Sequence, residues 1–217
     1  MRTKTLILSA LLTAAASPLF AQTNVYSVNA VGYVQQVYQP GVYQMIANPL
    51  NTTNNTIGSI LNTVPNGTTI YKWTGTSYAV AARARGLWDN PSFTLNPGEG
   101  CFINLGGSAP YTNTWVGEVM QGNLTNSTAA AGYVIWSSIV PQSGDADSLG
   151  LTANLLNGDS IYEFNSGTGA YQVWARARGL WSDPFGGNTA PPINVAQSFF
   201  LSSTGPRTWG RTFSVNN

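Results

Sequence analysis

The sequence contains no histidine and one cysteine, and only 8% of its residues are charged. Without histidine the chain cannot carry Ser-His-Asp or Cys-His catalysis, and most zinc sites are excluded as well. Because Cys101 is the only cysteine, no disulfide can form within the chain. We therefore predict that the protein has no catalytic residues, no metal site and no cofactor.

Charge of either sign is scarce and nearly balanced. The formal net charge is +1, and two of the nine cations, Arg2 and Lys4, lie in the N-terminal segment. Phosphate binding needs a basic surface, so nucleic acid is not an expected partner. The polar residues are instead Asn, Thr, Ser, Gln and Gly, which together with Val, Ile, Tyr and Trp favour strands and turns.

Residues 1–21 have the pattern of a secretory signal peptide. Arg2 and Lys4 form a charged start, residues 6–16 are apolar, and Ala21 is a plausible cleavage position. We expect an exported protein that is extracellular, at the cell surface or periplasmic. No later segment reaches 18 consecutive apolar residues, so no membrane span is expected in the mature chain.

The strongest pattern is an internal repeat. Residues 82–88 are identical to residues 175–181, and both segments read Ala-Arg-Ala-Arg-Gly-Leu-Trp. Weaker matches pair residues 66–73 with 157–164 and the Thr114-Trp115 pair with Thr208-Trp209. We predict that residues 22–120 and 121–217 are two copies of one unit.

Each copy has short strand-like segments separated by turn residues. The first copy is predicted to have strands at residues 25–37, 42–47, 68–73, 78–85, 101–104 and 112–119, with a short helix at 56–61. This spacing predicts an all-β protein of two tandem antiparallel sandwich or barrel-like units, with little helix outside the signal peptide. The two units could be separate or share one sheet system, and we favour two similar lobes with an extensive contact.

Several segments resemble one protein family. They are residues 29–34 (Asn-Ala-Val-Gly-Tyr-Val), 46–50, 65–73, 97–100 and 137–142. In these segments the sequence is similar to a family of uncharacterised exported bacterial β-rich proteins, and the resemblance covers nearly the whole mature chain. The resemblance implies export and a β-rich fold but no established activity. Family members usually carry aromatic residues before Gly-Leu-Trp, so the arginines found there are particular to this chain.

The repeated arginines are the main candidates for a binding site. Residues two apart in a strand face the same way, so Arg83 and Arg85 should share a face, as should Arg176 and Arg178. The small apolar residues that alternate with them are predicted to face the core. Trp174 should lie on the arginine face, where a cation–π contact with Arg176 is possible.

Two interpretations of this arginine face are open. It could be a solvated or salt-bridged strand surface, with Asp89 and Asp183 as partners. It could instead bind an anionic ligand such as an acidic polysaccharide, or a neighbouring subunit, because the arginine side chain binds carboxylates bidentately.

Comparing the two copies weakens other candidate sites. Cys101 aligns with Phe199, which predicts a small buried apolar residue. Lys72 aligns with Glu163, and this reversal of charge predicts an exposed strand face. Asp145 lies in a run that lacks the longer ligand pattern of a calcium loop, so an ordinary solvated turn is expected.

Most tryptophans and tyrosines recur in both copies, which predicts core packing. Trp136 and Trp174 lack aromatic counterparts and are therefore the predicted surface tryptophans.

Three functions remain open from the sequence. The first is a non-enzymatic structural or interaction protein of the cell surface or extracellular matrix. In that case strand 25–37 could complete a sheet in its own molecule or add to the edge of a neighbour. The second is a carbohydrate-binding module for a cell-surface polysaccharide. The third, a glycoside hydrolase, is least favoured because nothing in the sequence marks a carboxylate pair.

Overall fold

The computed structural model describes residues 30–215. The predicted signal peptide and residues 25–29 of the first predicted strand lie outside this range. We refer to residues 30–120 as the first half and to residues 121–215 as the second half. The described chain is all-β and antiparallel, as predicted, and is consistent with a β-sandwich.

The first half contains seven strands and one short helix. They are β1 (Val31–Tyr38), β2 (Tyr43–Ala47), α1 (Ile57–Ile60), β3 (Thr69–Trp73), β4 (Tyr78–Ala84), β5 (Leu87–Trp88), β6 (Gly100–Asn104) and β7 (Tyr111–Glu118). These bounds lie close to the predicted ones because turn residues such as Pro40-Gly41 and Pro97-Gly98 separate the apolar segments.

The second half contains nine strands and a single 3-10 turn. They are β8 (Gly122–Thr128), β9 (Gly132–Ser137), β10 (Gly144–Asp145), the turn Thr152–Asn154, β11 (Ser160–Asn165), β12 (Ala170–Ala177), β13 (Leu180–Ser182), β14 (Pro192–Ile193), β15 (Ser198–Ser203) and β16 (Arg207–Phe213).

Each half has one five-stranded sheet and one long two-stranded ribbon. The sheets have the orders β2-β6-β3-β4-β5 and β9-β15-β11-β12-β13, and the ribbons pair β1 with β7 and β8 with β16. A further short pairing joins β10 to β14. Counted along the chain, the strands of the two sheets follow the same order. That the halves arose by duplication stays a prediction from the sequence.

One face of each sheet packs on the ribbon and loops of its own half. In the first half, Ile70, Cys101 and Ile103 of the sheet join Tyr38 and Trp115 of the ribbon. In the second half, Ile161 and Leu201 of the sheet join Trp209 of the ribbon. The prediction that Cys101 is a buried apolar residue is confirmed, and burial raises the pKa of its thiol to about 12.

The opposite faces of the two sheets pack against each other. Met45 and Phe102 of the first half form one buried cluster with Ile135 and Phe200 of the second. Hydrogen bonds also cross this contact, for example from the Ser198 hydroxyl to the Ile46 carbonyl, 2.9 Å away. Each five-stranded sheet is therefore covered on both faces over part of its area.

The predicted exposed face at Lys72 and Glu163 is wrong. Each residue lies on the face of its sheet that packs on the ribbon and loops of its own half. Lys72 is partly buried and pairs with Glu99 at 2.8 Å, whereas Glu163 is buried. The alignment of the two copies identified the reversal of charge, but it could not show that neighbouring residues cover the Lys72 and Glu163 side chains.

No helix among residues 30–215 is long and apolar enough to cross a membrane.

Candidate functional site

The repeated Arg-Ala-Arg-Gly-Leu-Trp segment forms a tight hairpin in each half. Ala84 pairs with Leu87, which leaves Arg85 and Gly86 as a two-residue loop, and both have positive φ (54° and 80°). The second half matches, with φ of 53° at Arg178 and 77° at Gly179. Two positive φ values are typical of the type I′ hairpin turn. The repeated segment therefore has a clear structural role.

Arg83 and Arg176 stack on the tryptophan across this hairpin. Arg83 pairs directly with Trp88 and its guanidinium lies 6.0 Å from the ring centre. Arg176 pairs with Trp181 at 5.0 Å. Each guanidinium also donates to a backbone carbonyl, of Asn62 and Gly179 respectively. These cation–π contacts stabilise the pairing of β5 with β4 and of β13 with β12.

The prediction of a shared arginine face is therefore wrong. Arg85 and Arg178 sit in the turns and do not continue the alternation of the strands. The supposed core face is reversed as well, since Tyr78 and Val80 are exposed while Ala81 is fully buried.

Trp174 is also placed differently from the prediction. It lies in the core of the second half with 3% of its surface exposed, and Trp136 is buried too. The cation–π partner of Arg176 is Trp181, not Trp174.

The predicted acidic partners of the arginines have other roles. The Asp89 carboxylate accepts a hydrogen bond from the Ala82 backbone N–H. The Asp183 carboxylate accepts from three backbone N–H groups and the Thr189 hydroxyl, which lower its pKa. Within residues 30–215 the salt bridges found are Lys72–Glu99 and Arg207–Asp159. Among the described residues, Asp89 and Asp183 therefore form no salt bridge with the arginines of the repeated segments.

The more promising site is formed by aromatic residues between the two five-stranded sheets. We call it the aromatic surface, and it has five aromatic residues from each half. They are Tyr43, Tyr71, Trp73, Tyr78 and Phe102, with Tyr133, Tyr162, Phe164, Tyr171 and Phe200. These residues lie on β2, β3, β4 and β6 of the first sheet and on β9, β11, β12 and β15 of the second. Strand alternation places them on the sheet faces that pack against each other.

Two depressions open on the aromatic surface. One, of about 260 Å³, is lined by Trp73 and Tyr78 with Tyr133, Tyr162, Tyr171 and Phe200. The other, of about 470 Å³, is lined by Phe164 and Tyr171 with Tyr43, Tyr71, Tyr78, Phe102 and Gly169. Tyr78 and Tyr171 line both depressions.

The aromatic walls of the two depressions correspond residue by residue. Trp73 pairs with Tyr78 across a hairpin in the first half, as Phe164 pairs with Tyr171 in the second. The same strand registers equate Tyr43 with Tyr133, Tyr71 with Tyr162 and Phe102 with Phe200. Each depression is therefore built from the same six positions, with the contributions of the halves exchanged.

The rings combine firm packing with exposed edges. Phe102 contacts Phe164 with ring centres 5.2 Å apart, and Trp73 contacts Phe200 at 6.0 Å. Tyr78 is nevertheless 40% exposed, and Tyr171 has a similar exposure. Aromatic rings prefer such tilted and edge-to-face arrangements.

The tyrosine hydroxyls supply the polar groups of the surface. A hydrogen bond with Tyr43, followed by burial, raises the pKa of Tyr71, and Tyr133 has the same effect on Tyr162. Burial, followed by the nearby Tyr78, raises the pKa of Tyr171 to about 12. The hydroxyls of Tyr71, Tyr162 and Tyr171 are therefore neutral at physiological pH, and a neutral phenol can both donate and accept hydrogen bonds.

Metal chemistry finds no support in the described part of the chain. Residues 30–215 contain no group of three or more Cys, Asp or Glu side chains placed to hold a metal ion. Asp145 forms a turn in which it accepts a hydrogen bond from the Ser148 N–H, and Asp147 accepts from the Trp181 indole at 3.0 Å.

Comparison with known proteins gives no match to this chain among protein-family models, curated proteins or solved structures.

The sequence did contain a signal for the aromatic surface. Tyr71 and Trp73 alternate in a strand, and their counterparts Tyr162 and Phe164 do the same. That recurrence suggested core packing. It could not show that two aromatic faces meet each other and leave a rim exposed.

Proposed function

We propose that this chain is an exported, non-enzymatic protein that binds an uncharged polysaccharide through the aromatic surface. The observation that carries the proposal is the pair of equivalent depressions walled by aromatic rings. Sugar rings present flat C–H faces that pack on aromatic side chains, while their hydroxyls need polar partners. Tyrosine offers both in one side chain, because its ring is apolar and its hydroxyl forms hydrogen bonds.

An uncharged ligand fits better than the acidic polysaccharide predicted from the arginines. The residues that line the two depressions are Tyr, Trp, Phe and Gly169. Arg83 and Arg176 stack on Trp88 and Trp181, on the sheet faces opposite to the aromatic surface. Burying a charged sugar against rings without a counter-ion would cost free energy.

The repeated form of the site favours a polymer over a single small molecule. Two equivalent depressions that share Tyr78 and Tyr171 can contact two segments of one chain. Two linked contacts give a higher apparent affinity than either contact alone. A repeating ligand therefore suits a repeated binding surface.

A hydrolase is disfavoured by what the carboxylates do. Glycoside hydrolysis needs two carboxyl groups flanking the scissile bond. Asp159 instead pairs with Arg207, Asp183 holds a loop, and Glu99 pairs with Lys72. Of the residues described, no carboxylate belongs to the lining of either depression.

The test is affinity electrophoresis in gels containing xylan, galactomannan or hydroxyethylcellulose, with polygalacturonate as the acidic comparison. We expect retardation by at least one neutral polymer. Tyr78→Ala/Tyr171→Ala should weaken binding at least tenfold, which corresponds to about 1.4 kcal/mol. Tyr33→Ala is the control, because Tyr33 is an exposed tyrosine on β1 away from the depressions.

Failure to bind every neutral polymer, or equal retardation of the double variant and the wild type, would refute the proposal. Binding to polygalacturonate alone would also refute it and would favour an acidic ligand bound by the arginines.

A second candidate function, assembly into an extracellular structure, is favoured by the ribbon of β1 and β7. Among residues 30–215, β1 forms a ladder with β7 alone, so the other edge of β1 has no strand partner in the described chain. Its outer face carries Val31, Tyr33 and Val37, and Tyr33 is 67% exposed. Such an edge is available for pairing with another chain.

This second function is tested by light scattering after size-exclusion chromatography. We expect concentration-dependent oligomers that Tyr33→Ser/Val37→Ser converts to monomers. A wild type that stays monomeric at millimolar concentration would rule out assembly in solution through this ribbon. The same double variant should leave polysaccharide binding unchanged, which separates the two functions.

A further inference from the structure

A polar cleft in the first half lies between β7 and the segment that includes α1. We call it the polar cleft, and its volume is about 530 Å³. One wall carries Thr52, Asn54, Ser59 and Asn62, and the other is the stretch 111–116 of β7. The lining contains hydroxyl, amide and aromatic side chains and no ionisable acid or base apart from the Tyr111 phenol. Its size is within the range of small-molecule sites.

The polar cleft contains a buried hydrogen-bond donor without a partner. Asn113 has 3% of its surface exposed, and its Nδ2 makes no hydrogen bond. Asn113 shares a face of β7 with Tyr111, whose hydroxyl lies 2.5 Å from the Thr63 hydroxyl on the other wall. Asn113 is itself among the residues that line the cleft.

Trp115 continues this face of β7. Its buried indole N–H also lacks a partner in hydrogen-bond geometry. The Trp115 indole interacts with the buried Tyr38 hydroxyl, and this interaction partly offsets the rise in the Tyr38 pKa that burial causes. Buried donors normally have partners, so two such donors beside one cleft need an explanation.

The second half shows that the fold does not require free donors here. The Thr-Trp alignment equates Asn113 with Arg207 and Trp115 with Trp209. Arg207 donates to both carboxylate oxygens of Asp159, at 2.5 and 2.9 Å. The Trp209 indole donates to the Leu149 carbonyl at 2.9 Å. The same strand positions are thus satisfied internally in one half and left free in the other.

We propose that the polar cleft binds a short segment of an uncharged saccharide, with Asn113 Nδ2 donating a hydrogen bond to a ligand oxygen. Asn, Thr and Ser side chains both donate and accept, which suits a ligand with many hydroxyl groups. The absence of charged lining residues in the described cleft disfavours phosphate and carboxylate ligands. This site is separate from the aromatic surface and does not depend on the function proposed for it.

The experiment follows the ¹⁵N side-chain resonances of Asn113 and Trp115 in the full mature chain. The probes are cellobiose, xylobiose, maltose and N,N′-diacetylchitobiose, each titrated to 50 mM. We expect at least one to shift both resonances in a saturable manner. A soluble polymer of the same sugar, compared with the disaccharide, shows whether the cleft takes internal segments or only free ends.

Two variants separate binding from folding. Asn113→Leu removes the donor and should weaken binding at least tenfold while leaving thermal stability equal or higher, because the unpaired amide is no longer buried. Ser59→Trp places a bulky side chain at an exposed cleft position and should also abolish the shifts. Tyr78→Ala/Tyr171→Ala should leave them unchanged, so failure of the aromatic surface does not decide this test.

The proposal is wrong if none of the four saccharides shifts the Asn113 and Trp115 resonances. It is also wrong if Asn113→Leu and Ser59→Trp bind as tightly as the wild type.

Discussion

Arg85 and Arg178 occupy the left-handed backbone region, with φ of 54° and 53°. An ordinary side chain is strained there, whereas glycine and asparagine tolerate the conformation. The arginine residues in these turns therefore destabilise the hairpins. Relieving this backbone strain by substitution tests the assignment of a type I′ turn.

Replacing either turn arginine with asparagine should stabilise the protein. Arg85→Asn is expected to add about 0.5–1 kcal/mol to the free energy of unfolding, because Asn-Gly is a preferred type I′ turn. The melting temperature should rise by about 2 °C for a chain of this size. Arg85→Ala, which removes the side chain but keeps the strain, is the control. A lower melting temperature for Arg85→Asn would contradict the turn assignment.

Glu163 should make the stability of the protein depend on pH. Burial raises the pKa of this carboxyl group to about 7, above its ordinary value of 4.5. The folded state therefore holds the proton more tightly than the unfolded state. The stabilisation is fully present below pH 4.5 and is lost as the pH rises through 7.

Urea unfolding of Glu163→Gln tests this dependence. Between pH 5 and pH 8 the wild type should lose stability relative to Glu163→Gln, by at most about 3 kcal/mol. Asp89→Asn, at an exposed residue on the β5 hairpin, is the control and should not change this pH slope. Parallel pH profiles for wild type and Glu163→Gln would show that Glu163 is not the titrating group.

At the scale of strands, β7 and β16 show how two similar ribbons use different polar residues. Burial would raise the pKa of Asp159, but hydrogen bonds from Arg207, Leu156 and Thr204 outweigh it and lower the pKa. This contribution to stability is present at neutral pH and is lost as the pH falls through the lowered pKa. The first half has Thr68 and Asn113 at the corresponding positions.

Arg207→Asn should destabilise the protein by about 3–5 kcal/mol, because it leaves a buried carboxylate without its partner. The double variant Asp159→Thr/Arg207→Asn copies the first half and should recover part of that loss. Chemical denaturation at pH 7 measures both. If the double variant were as unstable as the single one, the buried charge would not be the cause.

Strand positions were largely predictable from the sequence. Gly and Pro residues bound the apolar segments. The two-residue loop at Arg85-Gly86 was not predicted, because Arg85 was assigned to a strand. The faces of β4 and β12 were not predictable in the same way. Strand periodicity separates two faces, but it identifies the buried one only where a single face is covered. Here both faces of each sheet are partly covered.

The contact between the two sheets packs the two halves of the chain against each other. Phe200 contacts Phe102, Trp73 and Tyr171, with ring centres 6.0–6.2 Å apart. The Trp73 indole also donates to the Tyr133 carbonyl at 2.8 Å. The core of this contact and the exposed aromatic surface are therefore continuous.

Phe200→Ala should lower the free energy of unfolding by about 3 kcal/mol, as is typical for a buried phenylalanine. Differential scanning calorimetry should show the loss. Val80→Ala, at an exposed position on the same face of the first sheet, should change stability by no more than about 0.5 kcal/mol. A change below 1 kcal/mol for Phe200→Ala would mean that the two sheets barely contribute to each other's stability.

By itself the sequence determined the all-β class and the approximate strand positions, because these depend on local alternation and turn residues. The tertiary structure alone decided that Trp174 is buried, that the arginines stack on tryptophans and that tyrosines reach the surface. It also decided which donors of β7 lack partners. Burial and hydrogen-bond satisfaction depend on neighbours far apart in the chain, and one strand's pattern does not specify them.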